Sequence, residues 1–279
     1  SGNPLIYLNM KNGVTDQLST FHATNNSSLT CIEVNAEDVD WATANWTSAN
    51  GNIDEGVTFS EICYSTNPNY TYVPDDNFEQ ALIDLGFDDT LDNYVLTANI
   101  SGVTYLNVNN KDISDLTGIE DFTALTYLTA WYNSLTSLDV SANTALTNLQ
   151  VPYNDVMTSL VGYENNTALT QLYCTGNQLT SVDVSLNTAL TALRCGENSL
   201  SSLDVSSNTA LTELTCEENS LTSLDISNNT ALTQLSCHYN FLTSLDVSTH
   251  TYLENLYCHN NFLTSLDVSN NTLLTILGC

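Results

Sequence analysis

Leucines fall in one rhythm along most of this chain: LxxLxC or LxxLxV, a polar stretch, then LxxLDV, and the phrase begins again. Read from Asn187 it is NTALTALRCGENSLSSLDVSS, and from Asn208 NTALTELTCEENSLTSLDISN. From Asn229 it is NTALTQLSCHYNFLTSLDVST, and from His250 HTYLENLYCHNNFLTSLDVSN. A fixed period of 21 residues predicts a solenoid in which each coil stacks on the last. Alternate residues of LxxLxC turn inward, as a short strand requires. Leu211, Leu214, Cys216, Leu221, Leu224 and Ile226 are therefore the expected interior of one coil. Burying six such side chains is worth on the order of 10 kcal/mol per coil before chain entropy opposes it. The expected fold is a mainly β solenoid with two short strands per coil, neighbouring coils lying ~4.8 Å apart.

Before the array the grammar is degraded. Leu5, Leu8 and Met10 match one half-coil and Leu29, Ile32 and Val34 the next, with Asn26 between them. Residues 37–72 dissolve into polar positions around Trp41, Trp46 and Phe59, which predicts a loop-rich segment; residues 1–72 read as the closing cap of an array. After Pro74, Asp75 and Asp76 predict the N-cap of a short helix through Phe78, Ala81, Leu82 and Leu85 that stops at Gly86. Residues 73–102 thus read as an opening helical cap and residues 103–279 as the array. The coil from Leu146 to Leu169 spans 23 residues, so its two extra residues, around 161–164, are expected to bulge outward. The last residues, LTILGC, written before the first, SGNPLIYLNM, continue the grammar without a gap. That phase match predicts a tandem unit or a head-to-tail filament in which the chain partners itself.

Charge narrows the partners. Three Lys and Arg stand against 32 Asp and Glu, a formal net charge of −29. Such a surface repels phosphate backbones and anionic lipid, which excludes nucleic acid, and suits secretion into salty surroundings. No apolar run is long enough to insert in a membrane. Of the eight cysteines, Cys174, Cys195, Cys216, Cys237, Cys258 and Cys279 keep the repeat register and read as small buried hydrophobes. Cys31 and Cys63 lie outside it and read as a disulfide, which points to an oxidising compartment.

Three further columns could carry chemistry. Asn133, Asn154, Asn177, Asn198, Asn219, Asn240 and Asn261 form one ladder; Asn143, Asn166, Asn187, Asn208, Asn229 and Asn271, interrupted by His250, form another. Both read as structural amides bonding the backbone at turns. Asp139, Asp183, Asp204, Asp225, Asp246 and Asp267 face outward from the second half-coil, a solvated face that keeps strand edges apart. Its sharper readings are weak Ca²⁺ binding or a flat surface that orders water or ice. By contrast, the outward positions of the first half-coil vary. They and the turn beyond supply Trp131, Tyr132, Tyr153, Tyr173, Arg194, Glu213, Gln234, His238, Tyr239, Tyr257 and His259, a set suited to a protein epitope or a glycan. Nothing resembles a catalytic triad, a phosphate loop or a zinc motif, so neither an enzyme nor a resident cofactor is expected.

The pattern LxxLxCxxNxL followed by LxxLDV resembles the leucine-rich-repeat family, in its irregular 21-residue bacterial class, over about residues 103–279. VPDDNFEQALIDLG followed by ISDLTGIEDFTALTYL looks like the opening module of secreted flavobacterial members, and ISDLTGI is similar to internalins. The resemblance implies a secreted or bacterial cell-surface protein that binds or adheres, with no helical convex face.

Overall fold

The computed structural model describes residues 4–13, 15–63 and 67–279. The chain forms two compact units, residues 73–93 with 98–279 and residues 1–72 with 94–97.

In the larger unit the leucine rhythm becomes one nine-stranded parallel sheet, running in sequence from Tyr105–Asn107 to Ile276–Gly278. Each strand has three residues and meets its neighbours in strict register, as in Leu193↔Leu214↔Leu235. A one-residue slip would turn every leucine outward, so the period of the sequence locks the register. Leu106, Leu128, Leu149, Leu172, Leu193, Leu214, Leu235 and Leu256 are fully buried beneath it. The cysteine column continues upward through Val151, Ala130 and Val108, all buried.

The second half-coil departs from the expected second strand. Only Ser137–Asp139 and Ser159–Val161 pair into a ladder there. In the regular coils side chains take over the backbone groups that a strand would use. The Leu200 amide donates to Asn219 Oδ1 at 2.9 Å, Asn208 Nδ2 donates to the Val184 carbonyl at 2.9 Å, and Asp204 Oδ1 accepts the Ser206 amide at 2.9 Å. With both ends of the segment held this way, one strand per coil suffices.

The two asparagine ladders bond differently. In the first, each amide uses both of its functions. Asn198 donates to the carbonyls of Cys174, Cys195 and Gly196 and accepts the Leu179 amide at 3.0 Å. Asn177, Asn219, Asn240 and Asn261 likewise donate to carbonyls of their own and the preceding coil. In the second ladder only the NH₂ groups are used; Oδ1 of Asn187, Asn208, Asn229 and Asn271 has no partner. His250 Nε2 takes the same role, donating to the Ile226 carbonyl at 3.0 Å.

The insertion in the coil after Leu146 turns inward, against the expected outward bulge. Gly162, at φ +88°, sits so close to the Val140–Ser141 backbone that a Cβ would come within 2.2 Å of the Ser141 nitrogen. From there Tyr163–Asn165 makes a 3₁₀ turn that buries the Tyr163 ring, and its hydroxyl accepts the Asp183 amide at 2.9 Å. A buried aromatic removes more apolar area from water than an exposed loop would. The shift leaves Asn166 buried with neither amide atom bonded. At the start of this unit the helix Asp76–Asp84 is capped by Asp75, whose Oδ1 accepts the Asn77 and Phe78 amides at 3.0 Å each. Asp75 Oδ2 also accepts from Ser114 and Asp115, tying the helix to the first coil.

In the smaller unit Leu8–Asn9, Cys31–Glu33 and Thr58–Ser60 form a three-stranded parallel sheet. The segment expected to be loop-rich therefore supplies a strand, and also the helix Val39–Asn45. Trp46 packs face to face on Phe21 at 4.1 Å over a core of Ile32, Val34 and Phe59. Asn26 repeats the ladder role, accepting the Leu5 amide and donating to the Ala23 carbonyl. Cys31 and Cys63 are joined in a disulfide, and the loop it closes corresponds to about 3–4 kcal/mol of stabilisation. Beside it Glu33, buried, accepts from Tyr7, Asn9, the Cys63 amide and Asn67. No helix among the described residues is long and apolar enough to cross a membrane.

Candidate functional site

Register sorts the varied side chains into four columns. The first residue of each strand gives Tyr127, Asn148, Gln171, Ala192, Glu213, Gln234 and Asn255. The third gives Thr129, Gln150, Tyr173, Arg194, Thr215, Ser236 and Tyr257. Not all of these face water freely. Thr129, Gln150, Ala192, Thr215 and Ser236 are buried, because in-register neighbours and the overlying turn cover them. The remaining two columns lie in the turn ahead of the first asparagine ladder. One holds Trp131, Pro152, Thr175, Gly196, Glu217, His238 and His259; the next holds Tyr132, Tyr153, Gly176, Glu197, Glu218, Tyr239 and Asn260.

The last column has left-handed backbone at every coil, with φ between 51° and 56° at Tyr132, Tyr153, Glu197, Glu218, Tyr239 and Asn260. Glycine would take that conformation freely, and an L side chain costs roughly 1–2 kcal/mol there. Only Gly176 takes the easy solution, at φ +69°. The strain is repeated coil after coil under large aromatic and acidic side chains.

The sequence-predicted residues gather into two groups. Around Trp131 and Glu217 lies a hollow of about 380 Å³ that also takes in Tyr153, Tyr173, Arg194, Glu213 and Gln234. The Tyr132 and Tyr153 rings stack at 4.8 Å and 6°. The Arg194 guanidinium lies 4.4 Å from the Tyr173 ring centre, and its Nε bonds Glu213 Oε1 at 2.6 Å. Burial pushes the Glu217 carboxyl above its ordinary range, against a hydrogen bond from Ser236. The second group comprises His238, Tyr239, Tyr257 and His259. His238 and His259 stack at 4.5 Å, and burial, then His259, lowers the His238 imidazole. Glu217, Glu197, Gly176 and Gly196 are the site residues that strand alternation alone does not single out. For Gly176 and Gly196 the signal is the break in each turn column, where glycine replaces larger side chains.

The other columns have different tasks. Cys174, Cys195, Cys216, Cys237 and Cys258 are free and buried, and burial raises the Cys174 thiol to about 12. Asp183, Asp204, Asp225, Asp246 and Asp267 each accept the amide of the serine two residues on. Those serines hold the carboxyls below their ordinary range. Among the described residues no group of three or more His, Cys, Asp or Glu is placed to hold a metal ion. The head-to-tail expectation rests in part on Ser1, Gly2 and Asn3, which lie outside the described residues.

Stacked parallel strands over a leucine interior, closed by asparagine ladders, define a leucine-rich-repeat solenoid, mainly β. The chain is similar to bacterial proteins of this architecture. Over 73 residues it is 37% identical to internalin J of Listeria monocytogenes, a match covering 26% of this chain and 8% of that protein. It spans less than a tenth of the length of that relative. The crystal structure of internalin C2 from L. monocytogenes superposes with a TM-score of 0.66 at 19% identity, covering 75% of this chain and 96% of that one. The functional domain of L. monocytogenes InlJ, which includes a cysteine ladder, gives a TM-score of 0.42 at 29% identity, over 75% of this chain and 61% of that one. No family model matches the chain.

Proposed function

We propose that the chain is a non-enzymatic binding or adhesion module at a bacterial surface or in secretion, and that it engages its partner through the varied face of the sheet and the adjoining turn. The observation that carries this reading is the contrast within one coil. The second half-coil is nearly invariant, and each Asp in it is occupied by its own serine. The first half changes at every coil and places strained aromatic and acidic residues at its turn. Fixed scaffold on one side and variation on the other is what a recognition surface on a repeat protein requires. The disulfide in the smaller unit fits export to an oxidising compartment.

Adhesion of beads coated with the purified chain to immobilised glycoproteins and whole cells tests the reading. Arg194→Glu, which breaks the Glu213 pair and the Tyr173 contact, and Tyr239→Ser are expected to lower adhesion at least 10-fold. Asp225→Asn, on the second half-coil, is expected to leave it unchanged. Equal adhesion by all three variants would remove the varied face from the binding role.

A further inference from the structure

We propose that the hollow from Trp131 to Glu217 is a saccharide subsite that takes a short neutral oligosaccharide, its rings against the edges of Tyr153 and Tyr173 and its hydroxyls on the polar groups between. This rests on the varied face being the binding face and adds the chemical class of the ligand.

Two walls of the hollow fold in where side chains are missing. A Cβ on Gly176 would stand 2.3 Å from Tyr153 Cδ1, so the tyrosine ring lies where a side chain at 176 would be. A Cβ on Gly196 would stand 2.5 Å from Glu217 Oε1. Gly196 has no left-handed backbone to explain it, since it is absent from the residues with positive φ. Its reason is the room it gives Glu217. Glycine at these two successive coils lets a ring fold in from one side and a carboxylate from the other.

What the hollow lacks identifies what fits it. Trp131 Nε1 is a buried donor without a partner, and Glu217 Oε2 a buried acceptor without one. Both residues line the hollow, and unpaired buried polar atoms are costly, so a ligand that satisfies both after a small turn of each side chain gains from each. A lysine-like cation donates only; it would leave Trp131 unmet and crowd the Arg194 guanidinium beside Tyr173. An anion accepts only, and would face Glu197, Glu213 and Glu217. A hydroxyl both donates and accepts. Thr175, Thr215 and Gln234, which line the space between, are neutral groups with the same double capacity. The hollow crosses four steps between coils, from the Trp131 turn to the Glu217 turn, or ~19 Å at the strand spacing. That length calls for several linked rings rather than one.

The test is a printed array of neutral oligosaccharides, followed by calorimetry of the purified chain with the bound glycan and, in parallel, with a tetralysine peptide. At least one neutral glycan is expected to bind. Trp131→Phe, which keeps a ring and removes the N–H, and Gly196→Ala, which displaces Glu217, are each expected to weaken it about 10-fold or more, with circular dichroism unchanged. Asp225→Asn is expected to bind as the parent does. The proposal is overturned if no neutral glycan binds, if Trp131→Phe binds one as tightly as the parent, or if tetralysine binds instead and Glu217→Gln abolishes it. Bead adhesion that falls with Tyr239→Ser but not with Trp131→Phe would keep the varied face as the binding face and remove the sugar from it.

Discussion

A single side chain in this solenoid is read by which of its atoms the coil uses. The first asparagine ladder uses donor and acceptor together, as Asn219 does in donating to Cys195 and Cys216 while accepting from Leu200. The second uses the donor alone, which is why His250 can stand in it: a ring N–H reaching Ile226 keeps one of the two carbonyl bonds that an asparagine makes there. Asn208→His is therefore expected to cost less than ~1.5 kcal/mol in urea unfolding, whereas Asn219→His leaves the Leu200 amide buried and unpaired, at ~2–3 kcal/mol. The same reasoning separates two residues of one ladder. Asn208→Ala forfeits bonds to Val184 and Asn187 and should cost ~1–3 kcal/mol, while Asn166→Ala removes an amide that bonds nothing and should be near neutral or stabilising. Equal losses at the two sites would show that the ladder stabilises through packing rather than hydrogen bonds.

At the scale of the element, the strand that ends in cysteine is held by an apolar column in which Val151, Ala130 and the cysteines interchange. Cys216→Ala is accordingly expected to cost ~1 kcal/mol, the loss of one small apolar group, and Cys216→Ser ~1–3 kcal/mol, because it buries a hydroxyl in a fully buried apolar column. In the native protein the five buried thiols should react with a thiol reagent only at the rate of unfolding. This column was legible in the sequence because a strict period places every inward residue without knowledge of its neighbours. The strand Thr58–Ser60 was not, since Phe59 follows Ile32 by 27 residues and its flanks are polar. Nor was the inward turn at Tyr163, which depends on the close approach of Gly162 to the preceding coil. The candidate site was half legible. Variation marked Trp131, Tyr173 and Arg194, but the hollow depends on Gly176 and Gly196 meeting Tyr153 and Glu217 from adjacent coils, a contact no single repeat encodes.

For the whole molecule, the governing quantity is a net charge of −29 carried on a stack that repeats its acids in register. Like charges one coil apart repel by about 1 kcal/mol in water, and salt at physiological strength screens that interaction within ~8 Å. Thermal stability should therefore rise from low to moderate sodium chloride and then level off. Because no group of three or more His, Cys, Asp or Glu gathers among the described residues, calcium at equal ionic strength should raise it no further; a calcium-specific increment in Tm would reassign the column to cation binding. Acid acts in the opposite direction on the same groups. Their folded carboxyls titrate below the ordinary value of about 3.9, so the unfolded chain takes up protons first as pH falls. The stability they contribute is complete above about pH 4 and is lost as pH drops through the folded values, even while protonation removes charge repulsion elsewhere. The two effects separate in Asp204→Asn/Asp225→Asn/Asp246→Asn. Removing three neighbouring charges should reduce the salt dependence of Tm near neutral pH and flatten the acid limb of the stability curve, measured by thermal melts between pH 2 and 7. A variant with an unchanged acid limb would place the acid sensitivity in other carboxylates, such as Asp75 at the helix cap, whose carboxyl is also held low by Ser114 against its burial.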